Sequence, residues 1–304
     1  MGASNSPSEL HSDVRTLIGE STAGFWADDL LMRRMHAAQQ EIVRAISEEN
    51  PTFFTASFDI SLVADQATYA LPLPARLGTR WIAVENRISG EPYFYAWDID
   101  LRRRLYGEAL NVPSISQSAV QVTLDGDQLR VVPIPDSATT NALRLVYEPQ
   151  FGNMLQGAAS TITSTSLILS ASAPDYSTGF GVVDRRDDYY NGMDVTILAG
   201  TGVGHTRRIS DYTGLTRSLT VDQAWTTAAT PTVGSTYAVQ CPVPEDFRDL
   251  VSLRTAHGLA RSGDKGRGKL LGEDWKDRLW DLRAWAAERS EFRGTTVEPM
   301  GGAY

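Results

Sequence analysis

The chain has 304 residues, 42% of them hydrophobic and 9% aromatic, which is enough to bury a sizeable core and excludes wholesale disorder. Its formal charge of −9 argues against a broad grip on nucleic acid, and no apolar run approaches the ~20 residues of a membrane span. A single cysteine, Cys241, excludes an intramolecular disulfide framework and a multi-cysteine zinc site, and the first residues carry no secretory pattern. Of the 28 basic residues only Lys265, Lys269 and Lys276 are lysines. Arginine suits planar, paired contacts between subunits, although an Arg-rich codon usage gives the same bias.

In chain order, helical periodicity comes first. "SELHSDVRTLIGE" sets Leu10, Val14, Leu17 and Ile18 on one stripe with Ser8 as cap. "GFWADDLLMRRMHAAQQEIVRAISEENP" continues with Leu31, Met35, Ala38, Ile42, Val43 and Ile46; Asp28 and Asp29 suit its first turn, Trp26 packs back as a staple, and Pro51 ends it. From Phe53 to Gln150 the pattern is short strands: "ASFDISLVADQATYALP", "RWIAVENRISGEPYFYAW", the hairpin "VQVTLDGDQLRVVPIP" and "ALRLVYEPQ". "DIDLRRRLYGEAL" reads as a short helix among them.

Residues 151–240 are poor in Leu and charge, and their strands fall at Leu167–Leu169, Gly181–Val183, Met193–Ala199, His205–Asp211, Leu219–Val221 and Thr236–Val239. Within them "AGTGVGHTRRIS" alternates three glycines like a phosphate loop. A β pattern follows instead of a helix, and no Lys-Ser/Thr is present, so the stretch reads as a hairpin turn. Helix returns in "PVPEDFRDLVSLRTAHGLARSG", with Pro244 near its start, and, after a "GDKGRG" loop, in "KLLGEDWKDRLWDLRAWAAERSEF". The last helix carries Leu271, Trp275, Leu279, Leu282 and Trp285 on a wide stripe with Trp280 off it, more aromatic contact surface than a small domain needs. The chain closes in "RGTTVEPMGGAY", which has no helical pattern and reads either as an ordinary disordered terminus or as a tail that becomes ordered on a partner.

The expected fold is therefore α+β: a helical bundle core with β-hairpins, plus an inserted all-β domain, a sandwich or small barrel. Its divisions are residues 1–150 for the N-terminal helices and hairpins, 151–240 for the insertion, 241–291 for the C-terminal helices that complete the core, and 292–304 for the extended tail.

Little in the sequence asks for catalysis. His11, His36, His205 and His257 have no metal spacing, and Cys241 has no evident His/Asn partner. In "DRRDDYYNG", Asp184, Asp187 and Asp188 with Tyr189 and Tyr190 form the best polar cluster, open to a sugar, a cation or a subunit contact but without the spacing of a calcium loop. No catalytic residue, metal or cofactor is assigned. What remains is assembly.

The patterns "FWADDLLMRRMHAAQQEIVRAISEENPTFF", "ISLVADQATYALP" and "RWIAVENRI" resemble the head–tail adaptor (connector, or head-completion) proteins of tailed bacteriophages. The resemblance rests on Trp26, Asp28 and Asp29 before a strand, on the Tyr69, Leu71, Pro72 step, and on Val243 to Ala260 as a returning helix. It implies a structural protein of the virion neck, made in the host cytoplasm. It implies a homo-oligomeric ring, twelve copies in this family, docked on the portal protein and joined to a tail or tail-completion (nozzle or stopper) protein. DNA passes through such a ring without specific binding. Phe292, Arg293, Val297, Met300 and Tyr304 become a portal-docking tail, and Arg248, Trp275, Trp280, Arg283 and Trp285 become subunit contacts. The β domain then meets capsid or fibres through Asp184, Asp187, Asp188, Tyr189 and Tyr190. The rival readings are a carbohydrate- or receptor-binding tail protein using the same cluster, and a hydrolase with carboxylates distant in sequence.

Overall fold

The computed structural model describes residues 6–20, 24–71, 80–87, 121–125, 128–132, 134–170, 179–226 and 229–289. Both N-terminal helices form where apolar spacing requires them, α1 at Pro7–Ile18 and α2 at Asp28–Glu49. The cap of α1 is Ser6 rather than Ser8. Its side chain accepts from the Glu9 amide while Glu9 reaches back to the Ser6 amide at 2.8 Å. Pro7, with no N–H to satisfy and φ already helical, lets the helix start there. Trp26 packs against the core at the start of α2, and Asn50 ends that helix just before Pro51.

The chain then makes β1 (Ala56–Leu62), β2 (Thr68–Ala70), β3 (Arg80–Asn86), β4 (Gln121–Asp125), β5 (Gln128–Val132) and β6 (Thr139–Glu148). All pair antiparallel in two three-stranded sheets, β1-β6-β3 and β2-β5-β4. The expected β4–β5 hairpin is present. β1 and β2 are strands as the alternation requires, but they do not pair with each other. Tyr69 closes the turn between them instead, accepting from the Val63 amide at 3.1 Å and donating to the Gln66 carbonyl at 2.9 Å. The short helix expected at 98–110 and the "SGE" turn lie outside the described residues.

Seven strands follow: β7 (Leu155–Ala158), β8 (Thr161–Ile162), β9 (Ser166–Ile168), β10 (Asp194–Ala199), β11 (Thr206–Thr213), β12 (Ser218–Val221) and β13 (Thr236–Gln240). They hydrogen-bond in the order β7-β13-β10-β11-β12-β9-β8. β7 and β8 stand at opposite ends of that order, yet only residues 159 and 160 separate them, a reach of at most about 11 Å. The sheet therefore curls until its two edges meet, which makes it barrel-like. Gly200, Gly202 and Gly204, at φ +92°, +82° and +82°, turn β10 into β11, so the glycine-rich stretch is a hairpin turn and not a phosphate cradle. In place of the strand expected at Gly181–Val183 there is one bridge, Phe180 with Gln156: Gly181 turns the backbone at φ +78°, and the Phe180 ring packs edge-on against His11 and His36.

After a 3-10 turn at Glu245–Phe247 come α3 (Asp249–Gly263) and α4 (Lys265–Glu288), the last of the described elements. The loop expected at "GDKGRG" contracts to Asp264, which caps α4 from its side chain. Gly268 and Gly272 serve close packing: a Cβ on Gly268 would lie 3.0 Å from the Arg261 amide nitrogen, and one on Gly272 2.9 Å from His257 Nε2. α3 packs against α1, α2 and α4, and α2 also touches α4. The apolar residues of these helices and of the barrel form one cluster, from Leu10, Leu31 and Ile42 through Phe180, Val195 and Tyr237 to Leu250 and Leu282. The residues of β1 to β6, among them Ile60, Tyr69, Leu129 and Leu145, form a second cluster of their own. The molecule is a mixed α+β protein, and among the described residues no helix is long and apolar enough to cross a membrane.

Candidate functional site

Cys241, His36 and His11 are committed to packing. Cys241 is buried, and burial pushes its thiol well above the usual range. His36 accepts from the Met154 amide through Nδ1 at 3.3 Å, and burial pushes its pKa down to about 4. His11 lies 2.9 Å from Asp28, its pKa lowered chiefly by burial against the opposing pull of that carboxylate. Among the described residues no three His, Cys, Asp or Glu side chains gather as a metal site.

The polar cluster of the barrel is likewise spent internally. Asp184 takes both the Nε (2.9 Å) and Nη2 (2.8 Å) of Arg186, which holds its carboxyl below the ordinary range against the raising effect of burial. Asp187 accepts from the Gly214 amide at 2.8 Å, and Asp188 accepts from the Asn191 side chain at 2.9 Å. Tyr189 and Tyr190 lie inside the barrel rather than on its outer surface, Tyr190 with 0% exposure, in an edge-to-face ladder that continues to Tyr212. Period-two alternation around Tyr189–Tyr190 is ambiguous, because the segment is a turn whose rings point inward. The set on which sugar or outer contact was expected does not converge on an open site.

The expected subunit contacts are divided. Trp275 is 5% exposed in the chain's own core beneath the Arg254 guanidinium, 5.5 Å away. Trp285 is half-buried between Phe53 and Phe247, at 5.4 and 5.6 Å, with Arg289 4.2 Å above it. Arg283 pairs with Glu48 at 2.8 Å, tying α4 to α2, and Arg248 donates to the Val243 carbonyl at 3.1 Å. Trp280, 71% exposed, is the member that faces solvent. Phe292, Arg293, Val297, Met300 and Tyr304 lie outside the described residues.

Two features escape sequence reasoning. One is a charged lock between α1 and α2. Arg15, 6% exposed, donates to Glu20 at 2.9 Å and to the Trp26 carbonyl at 2.9 Å, and also bonds Asp28. The other is a basic face on α2, α3 and α4. A cleft of about 600 Å³ between α3 and α4 is lined by Arg261, Lys265, Lys269 and Lys276 around Gly268 and Gly272. A second, of about 450 Å³ between α2 and α3, is lined by Arg34, Arg254 and again Arg261. The clue in the sequence was that all three lysines fall within twelve residues, in "KGRGKLLGEDWK".

The helix–strand joint repeats the same economy of side chains. Gln40 donates to the Phe151 carbonyl at 2.7 Å, Gln39 to the Gly152 carbonyl at 3.3 Å, and Gln156 accepts from the Ser8 amide at 3.2 Å. The first two bonds satisfy irregular backbone between β6 and β7 that no ladder reaches, and the third satisfies a free amide in the first turn of α1.

With this geometry in place, the comparisons carry weight. Residues 6–182 match the family model described as SU10 adaptor protein. The matched span takes in α1, α2, both three-stranded sheets and the first strands of the barrel. It thus includes residues 151–182, which the resemblance seen in the residues left out, and stops short of Val243 to Ala260, which that resemblance included. No curated protein matches the chain. More than half of the chain lies within the family model, and it belongs to the SU10 adaptor protein family.

Proposed function

We propose that this chain is the head-to-tail adaptor of a tailed phage: copies form a ring in the virion neck, dock on the portal and connect the DNA-filled head to a tail or tail-completion protein. The observation that carries this reading is the family match over residues 6–182. Beside it, Cys241, His11 and His36 are buried in the chain's own packing, while His205 is exposed. In this reading the four helices are the bundle core, and Trp280, exposed at 71% on α4, is the anchor offered to a neighbouring subunit or the portal. Residues 292–304 form the docking arm, and the DNA passes through the ring without sequence recognition.

The reading also bears on the chain's division. Residues 151–240 were expected to be the separable unit, but their apolar residues share one cluster with the helices, whereas β1 to β6 have their own. Ala56 pairs with Tyr147, so the start and end of the β1–β6 excursion are neighbours across one ladder rung. We infer that the removable module is residues 56–148, and that helices and barrel fold as one unit. The function is tested by the mass of the purified chain alone and with its portal protein: assembly into a ring, alone or on the portal, supports the adaptor, and a monomer indifferent to the portal overturns it.

A further inference from the structure

The protein is acidic overall, at −9, yet one face of its helical layer is basic. Arg34 on α2, Arg261 on α3, and Lys265, Lys269 and Lys276 on α4 are all exposed there. None of these five makes an ion pair among the described residues, and the two carboxylates lining the same clefts are Glu41 and Glu273. Glu41 is taken by Arg254 at 2.7 Å. His257, which lines the α3–α4 cleft, is held below its ordinary pKa by burial first and then by the positive charge of Arg254 and Arg261.

The division of labour between the cations is informative. Ion pairs elsewhere use arginine, at Arg15, Arg87, Arg144, Arg186, Arg208, Arg278 and Arg283, whose planar fork suits carboxylates. The three lysines, mobile point charges, all line one cleft. Its floor is Gly268 and Gly272, and the neighbouring cleft has Ala37, Ala38 and Gly258, so neither offers a large apolar anchor. Protein interfaces are depleted in lysine and hold their affinity in buried aromatic and apolar anchors, so a protein partner fits this face poorly. Apart from the His257 imidazole, the lining has no aromatic ring on which an unpaired base would stack.

We propose that this α2–α3–α4 face binds the phosphate backbone of double-stranded DNA, without reading its sequence. The contact deepens the adaptor reading, on which it rests for the presence of DNA. A local basic stripe on an acidic body gives weak, salt-sensitive contact in place of a tight grip.

The test is binding of the full chain to a labelled duplex of about 30 base pairs, followed between about 50 and 200 mM salt. The variant K265Q/K269Q/K276Q is expected to bind at least about tenfold more weakly at the low end, with a log–log salt slope shallower by about 2 to 3. K265R/K269R/K276R should restore binding, and R185Q/R207Q/R217Q on the barrel, with the same charge change, should leave it intact. A glutamine variant that binds like the parent, or a parent that does not bind at low salt, overturns the inference. So does a glutamine variant that keeps DNA but loses the portal, since the face would then be a protein interface. Loss of DNA binding with assembly and docking retained supports both this inference and the adaptor. Lysine-dependent DNA binding by a chain that never assembles supports the inference and sinks the adaptor.

Discussion

Arg15 is a buried cation on a helix whose stripe otherwise reads as plain Leu10, Val14, Leu17. Its guanidinium gathers Glu20, Asp28 and the Trp26 carbonyl, so one side chain sets the angle at which α1 hands over to α2. Replacing it with methionine takes the cation away from Glu20 and Asp28 and the side-chain donor away from the Trp26 carbonyl. Removing one partner of a buried pair costs several kcal/mol, so R15M should lower unfolding free energy by about 3 kcal/mol in a urea titration. His36 supplies a pH dependence. Its folded pKa of about 4 lies below the unfolded 6.5, so the unfolded chain binds the proton first as pH falls. The contribution is whole above pH 6.5 and is lost towards pH 4, by up to about 3 kcal/mol. A His36→Gln variant, which keeps an acceptor for the Met154 amide, should show a distinctly smaller loss across that window; equal slopes in the two proteins would refute the assignment.

At the scale of elements, the sequence was legible where the signal is local. The stripe of α2 is buried throughout, those of α1 and α4 are buried except for the half-buried Leu17, Ile18, Leu279 and Trp285, and β10 to β13 fall within a residue or two of the expected bounds. The glycine turn before β11 was legible too, because a missing helix downstream is a local fact. Pairing was not. β1 and β2 are adjacent in sequence but take β6 and β5 as partners, since long-range register is fixed by shared cores that alternation does not encode. "GDKGRG" misled for a related reason: its Gly268 sits inside α4 where the helix approaches the Ala260–Arg261 backbone closely, information held by α3 and not by α4. The two clusters yield a prediction about modularity. Replacing residues 57–147 by a two- or three-residue linker between Ala56 and Glu148 should leave the remaining protein with cooperative unfolding and native helical circular dichroism. Deleting 151–240 should not, because Phe180, Val195 and Tyr237 pack in one cluster with Leu31 and Leu250. A folded 151–240 deletion beside an unfolded 57–147 deletion would invert the assignment.

At the scale of the whole molecule, charge and aromatic residues are sorted by face. The helical layer carries a lysine-rich surface on an acidic protein, while Trp275 and Trp285, which look like contact residues in sequence, are largely consumed in holding α4 to the core. Composition alone could not separate these, since net charge averages over faces and a tryptophan's neighbours are not in its own helix. Trp280 alone of the three points outward, which narrows the aromatic contact surface of α4 to one residue. The central claim is that such copies assemble into a ring on a portal. The measurement that tests it most directly is the solution mass of the full chain, and of a chain lacking residues 294–304, each alone and mixed with the portal protein. The account predicts a ring-sized species for the full chain, at the latest on the portal, and loss of docking with the fold intact for the shortened one. A full-length chain that stays monomeric with the portal present would contradict it.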